Sequence, residues 1–146
     1  MSLPLDELYR EIILDHYKQP RNRGELDPHS ARVEGNNPLC GDEIQLDVRL
    51  NDGQLEDLAF QGRGCSISQA SASMMTEAVK AKPLDDVHQL IDIFKDMMRG
   101  QPVDTEELGD LEALEGVQKF PVRIKCALLA WTTLEEALKE ANGSIT

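Results

Sequence analysis

The sequence predicts a single α+β domain, a small antiparallel three-stranded sheet packed against several helices. Three observations predict it. Over 43–50 apolar and polar residues alternate, Asn51-Asp52-Gly53 follows as a turn, and Leu58 and Phe60 share one face of the returning stretch, the pattern of a hairpin. Before and after that region, apolar residues recur every three or four positions, which is helical spacing. The chain has 146 residues, 40% hydrophobic and 29% charged, the length and balance of one globular domain with a real core.

The elements follow in order. Leu5, Leu8, Tyr9, Ile12, His16 and Tyr17 share one face of a helix over 5–18. Pro4 suits its first turn, and Asp6 and Glu7 favour the positive end of its dipole. Pro20 and Gly24 end it, and 20–30 reads as a polar loop. A short strand is expected over 31–35, then a loop from Asn36 to Asp42. In the next strand Ile44, Leu46, Val48 and Leu50 form a dry face, and Glu43, Gln45, Asp47 and Arg49 a wet one. Its partner runs from Leu55 to Gln61. Ser66 and Gln69 fit a capping box ahead of a helix over 67–80, whose Ala70, Ser71, Ala72 and Ser73 permit close packing. Pro83 breaks that helix. Leu84, Val87, Leu90, Ile91, Phe94 and Met98 mark another over 84–98. The stretch 103–118 carries Asp104, Glu106, Glu107, Asp110, Glu112 and Glu115, and reads as one or two helical turns with a solvated face. Pro121 opens the last helix, with Cys126, Ala130, Thr133, Leu134, Ala137, Leu138 and Ala141 on its inner stripe and Gly143 as its stop.

Lys and Arg number 15 and Asp and Glu 27, a net charge of −12. So acidic a chain is a poor binder of nucleic-acid phosphates and of anionic membrane surfaces. No apolar run approaches the roughly 20 residues of a membrane span. The first residues lack the basic and apolar regions of a signal peptide. Three cysteines, with no export signal, argue against a disulfide scaffold and for a reducing, cytoplasmic setting.

Cys40, Cys65 and Cys126 form no CxxC pair. Cys126, on an apolar stripe, reads by itself as core. Cys40 and Cys65 sit in glycine-bearing loops. Cys65 directly precedes a predicted helix start, where amide donors and the dipole favour a thiolate. Arg63, Arg123 and Lys125 add positive charge beside these cysteines. Asp42 follows Cys40 by two residues with Gly41 between, so sulfur and carboxylate can face one point. Spacing alone leaves Asp42 equally a metal ligand or a turn cap. His16 is expected on a helix face and His29 and His88 at the surface; none has ligand-like spacing to a cysteine.

Three blocks in this order carry a resemblance: Asn37-Pro38-Leu39-Cys40-Gly41-Asp42; Gly62-Arg63-Gly64-Cys65 with the following Ser66-Ile67-Ser68-Gln69-Ala70-Ser71-Ala72-Ser73; and Phe120-Pro121-Val122-Arg123-Ile124-Lys125-Cys126. They resemble the IscU/SufU family, the NifU N-terminal-like iron–sulfur assembly proteins. Within it the chain is similar to the SufU branch. Scaffold IscU proteins carry a His where Lys125 stands here, and the acidic segment over 100–119 looks like the SufU insertion. The resemblance implies the predicted fold and the convergence of Cys40, Asp42, Cys65 and Cys126 on one zinc ion, supported by Gly41, Gly64, Arg123 and Lys125. It implies a sulfur carrier acting with a SufS-like cysteine desulfurase rather than a stand-alone enzyme. Cys40 would accept persulfide sulfur, a partner His replacing it on the metal, and pass it to the iron–sulfur assembly machinery. The alternative is a scaffold that builds an iron–sulfur cluster on the same ligands. A purely structural zinc module and a thiol hydrolase are the remaining readings.

Overall fold

A computed structural model describes residues 5–39 and 41–143. Helix α1 (Leu5–Lys18) leads into β1 (Ala31–Asn37), β2 (Asp42–Asn51) and β3 (Gln54–Arg63). Then come α2 (Ser66–Val79), β4 (Lys82–Pro83), α3 (Leu84–Met98), two 3₁₀ stretches (Thr105–Glu107 and Gly109–Lys119) and α4 (Pro121–Gly143). The sheet is antiparallel throughout, in the order β1-β2-β3-β4. The three expected strands are present, and β1 runs on to Asn37, opposite Asp42. The fourth strand has only two residues. It forms because Ala81, in the left-handed region at φ 63°, turns the chain after α2 and donates its N–H to the Leu55 carbonyl at 2.8 Å. Pro83 is tolerated because β4 is an edge strand.

Helix α4 lies across β1 and β2 and packs on α2. At its centre Trp131 is fully buried and stacks on Phe94 with ring centroids 4.4 Å apart. Its Nε1–H donates to Ser71 Oγ at 3.1 Å, and Ser71 donates to the Ala127 carbonyl at 2.7 Å. The small, partly polar face of α2 thus packs closely while its hydroxyls stay bonded. The predicted α4 stripe from Cys126 to Leu138 is buried and Ala141 half-buried.

Three expectations change. The wet face of β2 is not wet at Asp47, because the 20–30 loop folds over it. Asp47 is 1% exposed; it accepts two bonds from Arg32, at 2.7 and 2.8 Å, and one from the Leu26 N–H. Burial pushes its carboxyl up, but these bonds outweigh burial and hold it below the ordinary aspartate value. The face of α1 is also rotated from expectation. Leu8 and Tyr17 are exposed, Tyr9, Ile12 and Ile13 half-buried, and His16 fully buried. His16 Nδ1 lies 2.8 Å from Ser73 Oγ, and its Nε2 lies 3.7 Å from Glu77 and Asp110. Finally, the acidic stretch is more than a surface. Asp104, Glu106, Glu107, Asp110 and Glu115 are exposed as predicted, but Leu108, Leu111, Leu114 and Val117 are buried. That spacing of three is the repeat of a 3₁₀ helix, which keeps one straight apolar stripe. No helix among the described residues is long and apolar enough to cross a membrane.

Candidate metal centre

The site forms where three elements begin. Asp42 opens β2, Cys65 caps α2, and Cys126 sits in the second turn of α4. Their ligand atoms lie within 4.8 Å of one another. Residues 84 positions apart in sequence meet here because β2 leads through a hairpin back to α2, and α4 packs against both.

Cys65, rather than Ser66, is the N-cap. With φ −70° and ψ 166° it has the extended backbone of a cap, and its Sγ accepts the Ser68 N–H at 3.5 Å. The predicted box does not close: the Gln69 side chain reaches Ser68 Oγ at 3.5 Å instead. A sulfur can fill the role of a cap oxygen, which residue-type rules for caps overlook. The cap places the Cys65 thiol at the amide-rich end of α2.

Asp42 takes the turn-cap role that its spacing left open. Its Oδ1 accepts the Cys65 N–H at 2.9 Å, holding the turn before α2. Its Oδ2 is buried and has no hydrogen-bond partner among the described residues. A carboxylate oxygen left bare in a buried place costs several kcal/mol unless a cation meets it. Gly64 makes this approach possible. Its φ of 155° is one that L side chains rarely adopt, and a Cβ there would overlap Asp42 Oδ1 and come within 2.7 Å of Ser68 Oγ. Gly41, at φ 70°, turns the chain just before Asp42 with open space around it.

Cys126 is 2% exposed, as its stripe position predicts. Its thiol points at the Val122 carbonyl, 3.6 Å away, and receives the Asn37 Nδ2–H at 3.8 Å. An open cleft of about 430 Å³ leads to the sulfurs, lined by Cys65, Phe120, Pro121, Val122, Arg123 and Cys126. Phe120 and Val122, each 56% exposed, make its wall apolar, while Arg123 in the same lining is exposed, as is Lys125 beside Cys126 in sequence. Cys40 lies outside the described residues. The histidines stay apart from the group: His16 is buried against Ser73, and His29 and His88 are exposed.

The sulfurs of Cys65 and Cys126 and a carboxylate oxygen of Asp42, whose Oδ2 is unpartnered among the described residues, form a donor set that suits zinc, and thiolates suit iron–sulfur clusters as well. The sequence reading missed Asn37 and Ser68 as contributors. The signal for Asn37 was faint, since Asn36-Asn37-Pro38 reads as loop by composition.

The profile of the NifU-like N-terminal domain matches residues 8–127. A relative from Bacillus subtilis, the zinc-dependent sulfurtransferase SufU, is 52% identical over 140 residues, 95% of each chain. The iron-sulfur cluster assembly scaffold protein IscU of Streptococcus pyogenes is 49% identical over 96% of this chain and 88% of its own. Among solved structures, a SufU protein from Fervidobacterium islandicum AW-1 superposes with a TM-score of 0.85 at 36% identity, covering 88% of this chain and 95% of that one. With its α+β fold, its cysteine–aspartate cluster and this shared sequence, the chain belongs to the NifU-like N-terminal domain family of iron–sulfur cluster assembly proteins.

Proposed function

We propose that this chain is a zinc-bound sulfur carrier, with Cys40, Asp42, Cys65 and Cys126 as the metal ligands and Cys40 as the sulfur acceptor. The bare, buried Oδ2 of Asp42 beside the sulfurs of Cys65 and Cys126 carries the reading. Cys40 stands two residues before Asp42 in sequence and supplies the remaining thiol of a four-ligand set. When bound, zinc keeps its ligand thiols deprotonated at neutral pH. The Cys40 thiolate attacks the terminal sulfur of a persulfide on a SufS-like cysteine desulfurase. A sulfur–sulfur bond forms at Cys40, the desulfurase sulfur–sulfur bond breaks, and the electron pair leaves on the desulfurase thiolate. No net oxidation occurs, and the carried sulfur goes on to cluster assembly in the cytoplasm. The similarity to the Bacillus subtilis sulfurtransferase supports this reading. So does the cleft, whose Phe120 and Val122 offer apolar contact and whose Arg123 offers charge to an incoming anionic persulfide.

The test has two parts. Purified protein should hold about one zinc per chain, with sulfur and oxygen but no nitrogen neighbours by X-ray absorption. After incubation with a desulfurase and cysteine, alkylation and digestion, mass spectrometry should find the added sulfur on the Cys40 peptide. Sulfur first on the Cys126 peptide, with Cys40→Ser still accepting it, overturns the acceptor assignment. The second reading is a cluster scaffold, supported by the relatives that bear that description. A brown as-isolated protein with cluster absorption in the visible would favour it over a colourless zinc protein.

The acidic segment over 100–119 is assigned a supporting part as a solvated docking face for the desulfurase. Replacing Asp104, Glu106 and Glu107 by neutral residues should leave zinc content unchanged and make partner affinity weaker and less salt-sensitive. Loss of zinc in that variant would refute the assignment.

A further inference from the structure

We propose that Asn37 is a positioning residue for the metal centre, a side-chain donor that holds and partly neutralises the Cys126 sulfur. The inference rests on the metal reading above and adds a residue to it. Thiolates and a carboxylate around a divalent cation leave excess negative charge, which N–H donors must offset. Each described ligand takes an N–H donor among the described residues. Asp42 Oδ1 takes the Cys65 N–H at 2.9 Å, and Cys65 Sγ takes the Ser68 N–H at 3.5 Å. Both of these come from the backbone, so no side-chain substitution removes them directly. Cys126 Sγ takes an N–H from Asn37 Nδ2 at 3.8 Å, at the long end of the range for a bond to sulfur. Unlike the other two, this donor is a side chain.

The placement of Asn37 supports the assignment. It ends β1 directly opposite Asp42 in the β1–β2 register, so the same strand pair holds a ligand on one side and a donor to another ligand on the other. Asn37 is 7% exposed, which fixes its amide and shields its bond from water. The contact from the Cys126 thiol to the Val122 carbonyl at 3.6 Å uses the thiol proton. The Asn37 amide meets the same sulfur with its N–H, so this side chain helps fix where the Cys126 sulfur sits.

The experiment compares wild type with Asn37→Leu, which keeps the bulk and removes the donor, and with Asn37→Asp, which keeps the shape and replaces the donor by a carboxylate. Zinc affinity is measured by competition with a chromophoric chelator, and cobalt(II) is bound in place of zinc to read the sulfur-to-metal charge-transfer band. Asn37→Leu should weaken zinc binding about 10- to 100-fold and shift the cobalt band, and Asn37→Asp should weaken it further. A purely structural Asn37 would leave the cobalt band where it is. Because a variant can fail to fold, wild type loaded with cadmium-113 supplies a second measurement, a scalar coupling between cadmium and an Asn37 side-chain amide proton across the bond to sulfur. Asn37→Leu within twofold of wild type, or no such coupling, overturns the inference and leaves the metal reading standing. A wild type that binds neither zinc nor cobalt overturns both.

Discussion

Replacing Gly64 with alanine tests the site's architecture without substituting a proposed ligand. The added Cβ meets Asp42 Oδ1 at overlap distance, Ser68 Oγ at 2.7 Å and Asp42 Cα at 3.0 Å, with φ at 155°. Two costs follow. Holding a non-glycine residue in a sparsely populated backbone region costs about 1–3 kcal/mol. Displacing the Asp42 carboxylate loses its bond from the Cys65 N–H, a charge-assisted hydrogen bond contributing about 1.5–3 kcal/mol. Together they lower stability by about 2.5–6 kcal/mol, a large share of the roughly 5–15 that a domain of this size typically has. Gly53→Ala is the internal control. Gly53 has φ 75° in the hairpin turn, and a Cβ there meets nothing within 4 Å, so it pays only the left-handed strain, about 1–2 kcal/mol. The assay is urea unfolding of both metal-free variants followed by circular dichroism, with zinc per chain measured separately. Gly64→Ala should lose at least 1 kcal/mol more than Gly53→Ala and hold little zinc. Equal losses in the two variants, with full zinc in Gly64→Ala, would show that the glycine is there for backbone freedom alone.

Three more outcomes are expected. Asp42→Ala should remain folded but lose zinc to a chelator at least about tenfold faster than wild type, since it removes the one oxygen of the donor set; unchanged zinc release would reduce Asp42 to a turn cap. Ala81→Gly should gain about 0.5–1 kcal/mol in urea unfolding, because glycine sits at φ 63° without the strain alanine bears there. His16 gives a pH dependence. Burial first, and then the nearby Arg21 charge, push its pKa below the ordinary 6.5, against the opposing pull of Glu77 and Asp110. The unfolded chain therefore binds a proton at His16 that the native state resists, and this contribution to stability is full above pH 6.5 and falls away as the pH drops below it. Comparing wild type with His16→Gln at pH 7.5 and at pH 5.5 should show a smaller acid loss in the variant; parallel losses would contradict it.

The alternation from Ile44 to Leu50 and the Asn51-Asp52-Gly53 turn were legible because a half-buried hairpin writes its geometry into consecutive residues. The helices over 66–79 and 84–98 and the α4 stripe were legible for the same reason. What was not legible depends on contacts made at a distance. Asp47 reads as solvated until the 20–30 loop is seen to cover it with Arg32 in place. His16 reads as a face residue until Ser73, 57 positions on, meets it. Two residues of β4 carry no period at all. At the site, Asp42 and Cys65 announced themselves by their glycines, whereas Cys126 looked like core because it is also core. Asn37 was hidden because a buried amide at the end of a strand has the composition of a loop.

The 3₁₀ stretch before α4 has a consequence for how the chain can vary in length. A 3₁₀ helix turns once every three residues and rises about 2 Å per residue. Removing one residue within Gly109–Lys119 would rotate everything after it by about 120°, turning Leu114 and Val117 out of the core and bringing Glu115 toward it. Removing three would restore the phase but shorten the path by about 6 Å. Since Phe120 and Pro121 follow at once and start the helix that carries Cys126, that shortening would pull on the Asp42–Cys65–Cys126 cluster itself. Insertions and deletions here are thus constrained twice, in phase by the core and in reach by the cysteine at the other end.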